Sequence, residues 1–493
     1  MMKKSIVVVL SALCATQLLA KIEMGAPFSD YAVLQRNMKL PVWGKATVGN
    51  EITVDFAGQK SSTKVNADGK WRVDLSPLEA SAEGRKMTIQ ELASDGGVVD
   101  TFEVKDVLVG EVWFASGQSN MECPIWEPNP RYRDANGGMM INATFLNNVR
   151  YASIKHKWST EPEFQKTQWR RFIPSDLKSG RHFSAVGFYY AREIYLALGG
   201  VPVGIVSANW GGTNIDAWTP RSGYENSDPS IKATAEYPVK KNWTPKDAKG
   251  PIGRAHQQPT VLWNGMVSAW APFANRGFIW YQGCHNAKEA NLYCAKMHAL
   301  YNGWSKEFEN PNLKLYFVQL APYKTNWMKL VAAQNKFAAE EKNAAIAVTA
   351  DVGNFSDIHP NNKEIVAKRL ALHALKNDYG FDISEINSPV FKSVKFEGAK
   401  AIATFDNVSF WYVYADNRST QPAFELAGKD GKWYPAKLLN VNELGQVKGV
   451  DLELKSDKVA EPVKIRYMGR NNTMGTIYNQ VSLPLGPFES SCP

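Results

Sequence analysis

A serine hydroxyl, an imidazole and a carboxylate stand in short segments rich in glycine and amide side chains: Gly117-Gln118-Ser119-Asn120, Trp210-Gly211-Gly212-Thr213, Gln282-Gly283-Cys284-His285-Asn286 and Asp357-Ile358-His359-Pro360. These residue types suit acyl transfer. A serine hydroxyl is a poor nucleophile at neutral pH, so it needs an imidazole base, a group that orients the imidazole, and donors for the oxyanion that develops on the attacked carbonyl. Ser119 is the candidate nucleophile and His359 the candidate base, with Asp357, Asp351 or a backbone carbonyl as the group that orients the imidazole. The N–H groups of Ser119 and Gly212 and the amide of Asn286 are the candidate oxyanion donors, and Gln118, Gln282 and His285 are candidate substrate contacts. Each residue alone has a duller reading. Ser119 could be a turn former, Asp357 or Asn286 a helix cap, and His359 any of seven histidines.

Residues so far apart along the chain need a scaffold that brings them to one edge. From Val107 the sequence alternates apolar strands with amphipathic helices, the signature of an α/β layer with a mostly parallel sheet. Strands are expected at Val107 to Ala115, Val203 to Ser207, Gly277 to Tyr281, Leu313 to Leu320 and Ala345 to Ala350. Helices are expected at Phe183 to Leu198, Ala287 to Phe308, Trp327 to Lys342 and Asn362 to Lys376. In such sheets, chemistry gathers beyond the carboxyl ends of the strands, and the four segments follow strands. Short alternating strands precede and follow this region, with hairpin signals at Asp68-Gly69-Lys70-Trp71 and Asp430-Gly431-Lys432-Trp433. The expected organisation is a signal peptide over 1–20, an N-terminal β-sandwich over 21–106, a three-layer α/β/α hydrolase domain over 107–388 and a C-terminal β-domain over 389–493.

The bulk properties narrow the classes. The 493 residues, 44% hydrophobic and 21% charged, suffice for a large core. Lys3 and Lys4 precede the apolar run Ile6 to Leu13, which reads as an export signal and an expected periplasmic or secreted location; Leu13 before Cys14 argues against a lipoprotein. No later stretch is long and apolar enough to span a bilayer. The formal charge is +9, of which those two lysines supply two, leaving +7 scattered without a nucleic-acid module. Cys123, Cys284, Cys294 and Cys492 remain after residue 20, an even number that allows disulfides. Cys294 and His298 lie four apart on an expected helix just beyond Cys284-His285, but no compact knuckle frames them, so no metal site is expected.

The segments also resemble the sialate O-acetylesterase family, a branch of the Ser-Gly-Asn-His hydrolases. The resemblance is carried by Gly117 to Asn120 following Gly110-Glu111-Val112-Trp113-Phe114-Ala115-Ser116, by Trp210 to Thr213 leading to Ala217-Trp218, by Ile279 to Gly283 and by Asp357 to Pro360. It extends to Val33-Leu34-Gln35-Arg36, Pro41-Val42-Trp43-Gly44 and Leu483-Pro484-Leu485-Gly486-Pro487-Phe488, and so covers almost the whole chain after residue 20. It implies β-domains on both sides of the catalytic domain, no metal or organic cofactor, and an O-acetylated sialic acid as substrate. Other readings are an esterase of acetylated xylan or another acetylated glycan, and a carbohydrate-binding protein with a decayed hydrolase core. Two departures stand out: Cys284-His285 replaces the Glu-Ser that members often carry, and Asp357 precedes His359 by two positions where the wider superfamily uses three. His285 is a rival base and Cys284 a rival nucleophile. A disulfide between Cys123 and Cys284, fastening two site loops, is a further expectation.

Overall fold

The computed structural model describes residues 21–126, 134–137, 146–175, 183–325, 327–414, 418–419, 421 and 423–490. The expected signal segment, Cys14 and Cys492 lie outside them.

One strand organises the molecule. β1 (Val98–Gly117) is twenty residues long, and its second half is an unbroken buried run. A strand buried on both faces needs apolar or small residues at every position, which Val107 to Ser116 supply apart from Glu111. Glu111 is fully buried yet satisfied, because Arg36 at 2.5 Å, Arg276 at 3.2 Å and the amide of Gln35 at 3.1 Å all donate to its carboxylate. Burial alone would raise its pKa, but those two arginines outweigh it and hold the pKa below the usual carboxylate range.

Around β1 lie β2 (Leu146–Ser153), β3 (Trp169–Phe172), β4 (Val203–Asn209), β5 (Gly277–Tyr281), β6 (Lys314–Val318) and β7 (Ala344–Ala347), in the order β3-β2-β4-β1-β5-β6-β7. All neighbours pair in parallel except β3, which runs antiparallel to β2 at the edge. The expected strands are present, and β2 and β3 are additions. Helix α1 (Ser119–Glu122) follows β1 directly. The longer helices are α2 (Ala185–Ala197), α3 (Ala290–Glu307), α4 (Met328–Glu340) and α5 (Lys363–Asn377), each within a few residues of its expected span. A short 3-10 segment, Cys284–Glu289, precedes α3, so Asn286 sits inside a turn rather than capping a helix at Ala287. Among the described residues, no helix is long and apolar enough to cross a membrane.

β1 is shared with the N-terminal strands. Most of its pairing with the strand Ser81–Leu92, which is antiparallel, lies in its first half, and Leu108 to Gly110 at the start of its second half pair in parallel with Val33–Gln35. The expected boundary between 106 and 107 therefore falls within one continuous strand, at a backbone kink where Asp106 has φ +53°. The turn signalled by Asp68-Gly69 forms, with Gly69 at φ +73°, but the following strand Lys70–Leu75 pairs with Leu40–Lys45 and not with its sequence neighbour. The Asp430-Gly431 signal does close a hairpin, joining Phe424–Ala427 to Trp433–Pro435. The C-terminal strands pack around Phe405, Trp411, Leu452 and Tyr467, a core that also takes in Val348 and Ala350 beyond β7.

Candidate active site

β1 ends on a sharp turn that only glycine fits. Gly117 has φ +138°, and a Cβ there would stand 2.4 Å from the carbonyl oxygen of Tyr281 on β5. The N–H of Gln118 donates to that same carbonyl at 3.0 Å, and the N–H of Trp210 donates to the Gly117 carbonyl at 3.1 Å. The ends of β1, β4 and β5 are thereby tied together, and Ser119 opens α1 just beyond them.

His359 arrives from the loop after β7. Its Nε2 lies 2.9 Å from Ser119 Oγ, across 240 positions of sequence, and its Nδ1 lies 3.1 Å from Asp357 Oδ1. Asp357 Oδ1 also accepts the backbone N–H of His359 at 2.9 Å, so the two-residue spacing closes a tight local turn around one carboxylate oxygen. With Nδ1 carrying the proton toward Asp357, Nε2 is free to accept from the serine hydroxyl; this tautomer follows from the network. Asp351 is not available for that task. Arg369 holds both its oxygens, at 2.7 and 2.8 Å, in a pair that is almost fully buried.

Asn120 supports the imidazole from beneath. Its Nδ2 donates to the carbonyl of Ile358 at 3.0 Å, and its Oδ1 accepts from the buried ammonium of Lys363. Lys363 is a site residue that the sequence conceals: at the start of α5 it reads as a solvated helix lysine, yet it is fully enclosed. Burial lowers the pKa of His359 below its ordinary 6.5, and the nearby Lys363 charge adds to the shift; Asp357 opposes it. The imidazole accepts a proton only while neutral, and a lowered pKa keeps it neutral further into acid. We therefore expect kcat/KM to fall on acidification with a midpoint below 6.5. A pH profile on an activated acetyl ester checks this, and a midpoint above 7 would contradict the assignment of His359.

Opposite the imidazole, the Gly211-Gly212 loop packs directly on Ser119. A Cβ on Gly211 would come within 3.2 Å of the Ser119 Cβ. The Gly211 N–H donates to Glu122 Oε2 at 2.5 Å, and Glu122 Oε1 meets His156 Nε2 at 3.0 Å. His156 stacks on Trp210 at 4.3 Å, and His256 covers the other indole face at 4.5 Å. Gly212, at φ +68°, borders open space, and its carbonyl is held by the Gln257 amide at 2.6 Å. Neither the Ser119 N–H nor the Gly212 N–H meets an acceptor among the described residues.

Other expectations need correction. Asn286 is fully buried. Its Oδ1 accepts from the Ile215 N–H at 3.0 Å and Gln282 Nε2 at 2.8 Å, while its Nδ2 points to Asp216 and Glu289 at 3.4 Å each. Those carboxylates flank buried Lys296, at 3.0 and 2.8 Å. The amide thus braces the floor of the site instead of lining it, so of the three expected oxyanion donors only the N–H groups of Ser119 and Gly212 are without an acceptor among the described residues. Gln282 is likewise enclosed, bonded to Thr213, Asn286 and Tyr293, and Gln118 receives the Gly283 N–H at 3.1 Å; both position loops and neither is placed to touch substrate. His285 turns its Nε2 to the Pro251 carbonyl at 2.8 Å, away from a base's task. No disulfide joins Cys123 to Cys284, and burial pushes the Cys284 thiol up to about 12, which makes it a poor nucleophile.

Comparison with known proteins follows the same lines. Residues 109–375 match the family described as carbohydrate esterase, sialic acid-specific acetylesterase. The chain belongs to this family. All the segments of the candidate site fall inside the matched region. The esterase is 25% identical over 456 residues to the sialate O-acetylesterase of Rattus norvegicus, covering 83% of each chain. Against the Homo sapiens sialate O-acetylesterase it is 26% identical over 451 residues, covering 83% of this chain and 81% of the relative. A solved carbohydrate acetylesterase from Xanthomonas citri superposes with a TM-score of 0.80 at 31% identity, covering 95% of this chain and 99% of that one. An α/β esterase fold with added β domains accounts for both the sheets and the structural likeness.

Proposed function

We propose that this carbohydrate esterase removes O-acetyl groups from sialic acid by way of an acetyl-enzyme intermediate. The observation that carries the reading is the continuous relay from Ser119 Oγ through His359 to Asp357, at 2.9 and 3.1 Å, in a chain of this family. Ser119 Oγ attacks the acetyl carbonyl while its proton passes to His359 Nε2. The oxyanion forms against the N–H groups of Ser119 and Gly212. Collapse expels the sugar oxygen, which takes the proton from His359. Water then enters, gives a proton to the same nitrogen and attacks the acetyl carbon; on collapse the Ser119 oxygen leaves with that proton from His359, and the acetic acid set free loses its proton to solvent as acetate. Asp357 holds Nδ1–H throughout and stabilises the imidazolium.

The substrate reading rests on what the mammalian relatives are named for and on the net positive charge, which suits an anionic sugar. Release of acetate from O-acetylated sialic acid and from acetylated xylan, measured side by side, tests it. Faster turnover of the sialic acid ester is expected. The reverse order would assign the same relay to plant-polysaccharide deacetylation. The catalytic unit is read as three layers over 107–388, because α2 packs with α5 and α3 with α4. Export to the periplasm or beyond is read from Lys3, Lys4 and the apolar run after them.

A further inference from the structure

Outside the esterase site, three side chains of different chemistry converge where α3 meets α4. Cys294 and His298 stand one turn apart on α3, and Glu340 is the last residue of α4. Glu340 Oε2 lies 3.4 Å from Cys294 Sγ and 3.1 Å from His298 Nε2, and all three donor atoms fall within 4.8 Å of one another. We propose that this cluster is a binding site for a thiophilic divalent cation of the zinc class, clipping α3 to α4.

Zinc bonds sulfur at about 2.3 Å, imidazole nitrogen at about 2.0–2.1 Å and carboxylate oxygen at about 2.0–2.2 Å, so tetrahedral ligands sit roughly 3.3–3.6 Å from one another. The Cys294–Glu340 and His298–Glu340 separations are already close to that range, and Cys294 and His298 present their donor atoms within 4.8 Å of each other from one turn of α3. Thiolate, imidazole and carboxylate together select a borderline cation over calcium or magnesium, which prefer oxygen alone.

Surroundings favour the same reading. The sulfur is buried, whereas the imidazole is 32% exposed and the carboxylate 44% exposed, so an ion has a route in and a fourth position open to water. Phe337 meets the His298 ring in a T-shaped contact at 4.8 Å, and Lys336 lies 3.7 Å from the second oxygen of Glu340. On binding, the S–H bond breaks, the sulfur bonds the metal and one proton passes to solvent. The clip closes just beyond the Cys284–Glu289 turn, so it steadies the helix that leads out of the esterase site.

The test uses the full purified chain, reduced, stripped with a chelator and titrated with cobalt(II) chloride. The expected result is a thiolate-to-cobalt charge-transfer band that saturates at one equivalent per chain, bleaches on addition of zinc chloride and appears with release of about one proton. Cys294→Ser should abolish the band, and His298→Ala should weaken zinc binding by roughly 10-fold or more. Retained hydrolysis of an acetyl ester by each variant shows that the fold is intact. No band in the wild-type chain, or a band that survives Cys294→Ser and so belongs to Cys123, Cys284 or Cys492, would overturn the proposal.

Discussion

Replacing Ser119 with alanine is expected to lower kcat on an activated acetyl ester by about 10⁴-fold or more while leaving the melting temperature nearly unchanged. The substitution removes the one atom that can form the acyl bond, and the neighbouring oxyanion donors then have no tetrahedral intermediate to stabilise. Structurally the change is small. The hydroxyl is half-buried and its hydrogen bond runs to His359, so its loss costs about 1 kcal/mol at most. The Gly211 loop packs against the Cβ that alanine keeps. Steady-state kinetics with a thermal melt on the same sample decides the matter. Activity within tenfold of wild type would remove Ser119 from the mechanism.

The second large effect separates two aspartates. Asp357→Asn is expected to reduce kcat by roughly 10²–10⁴-fold, because an amide at that position can turn the imidazole so that its proton faces Ser119 and Nε2 no longer accepts. The Asp357 side chain is 41% exposed, which places the expected loss toward the lower end of that range. Asp351→Asn should act differently. It strips one partner from the near-fully buried pair with Arg369, a loss on the order of 3–5 kcal/mol in stability, while the molecules that remain folded turn over normally. Kinetics normalised to folded protein, set beside chemical denaturation, distinguishes the two. A larger catalytic loss at 351 than at 357 would reverse the assignment.

What the sequence makes legible depends on how local the cause is. β1 and β4 to β7 announce themselves by apolar runs, and the four long helices by their period and stops, because burial acts on each residue in turn. β2 reads as a loop, since Asn147 and Asn148 are turn formers and Arg150 looks solvated; pairing with β4 overrides them, and Arg150 finds Asp106 at 3.1 Å and the Tyr31 ring. At the site, the serine, histidine and aspartate are readable because each sits in a distinctive turn. The place of Asn286 is not, because it is set by Asp216 and Lys296 from other elements. Lys363 escapes notice for the same reason: its partner Asn120 lies 243 positions away. Glu340, too, is separated from His298 by 42 positions, beyond any short spacing motif.

The continuity of β1 has a consequence for how the molecule comes apart. Its amino-terminal half is hydrogen-bonded to Ser81–Leu92, and its carboxyl-terminal half hands the chain to Ser119. Deleting residues 21–97 would therefore not release a trimmed catalytic core. It would strip a partner from the strand that carries the serine, leave a raw sheet edge inviting aggregation and orphan the Glu111 carboxylate from Arg36. Heating should accordingly melt the two regions as a single cooperative unit.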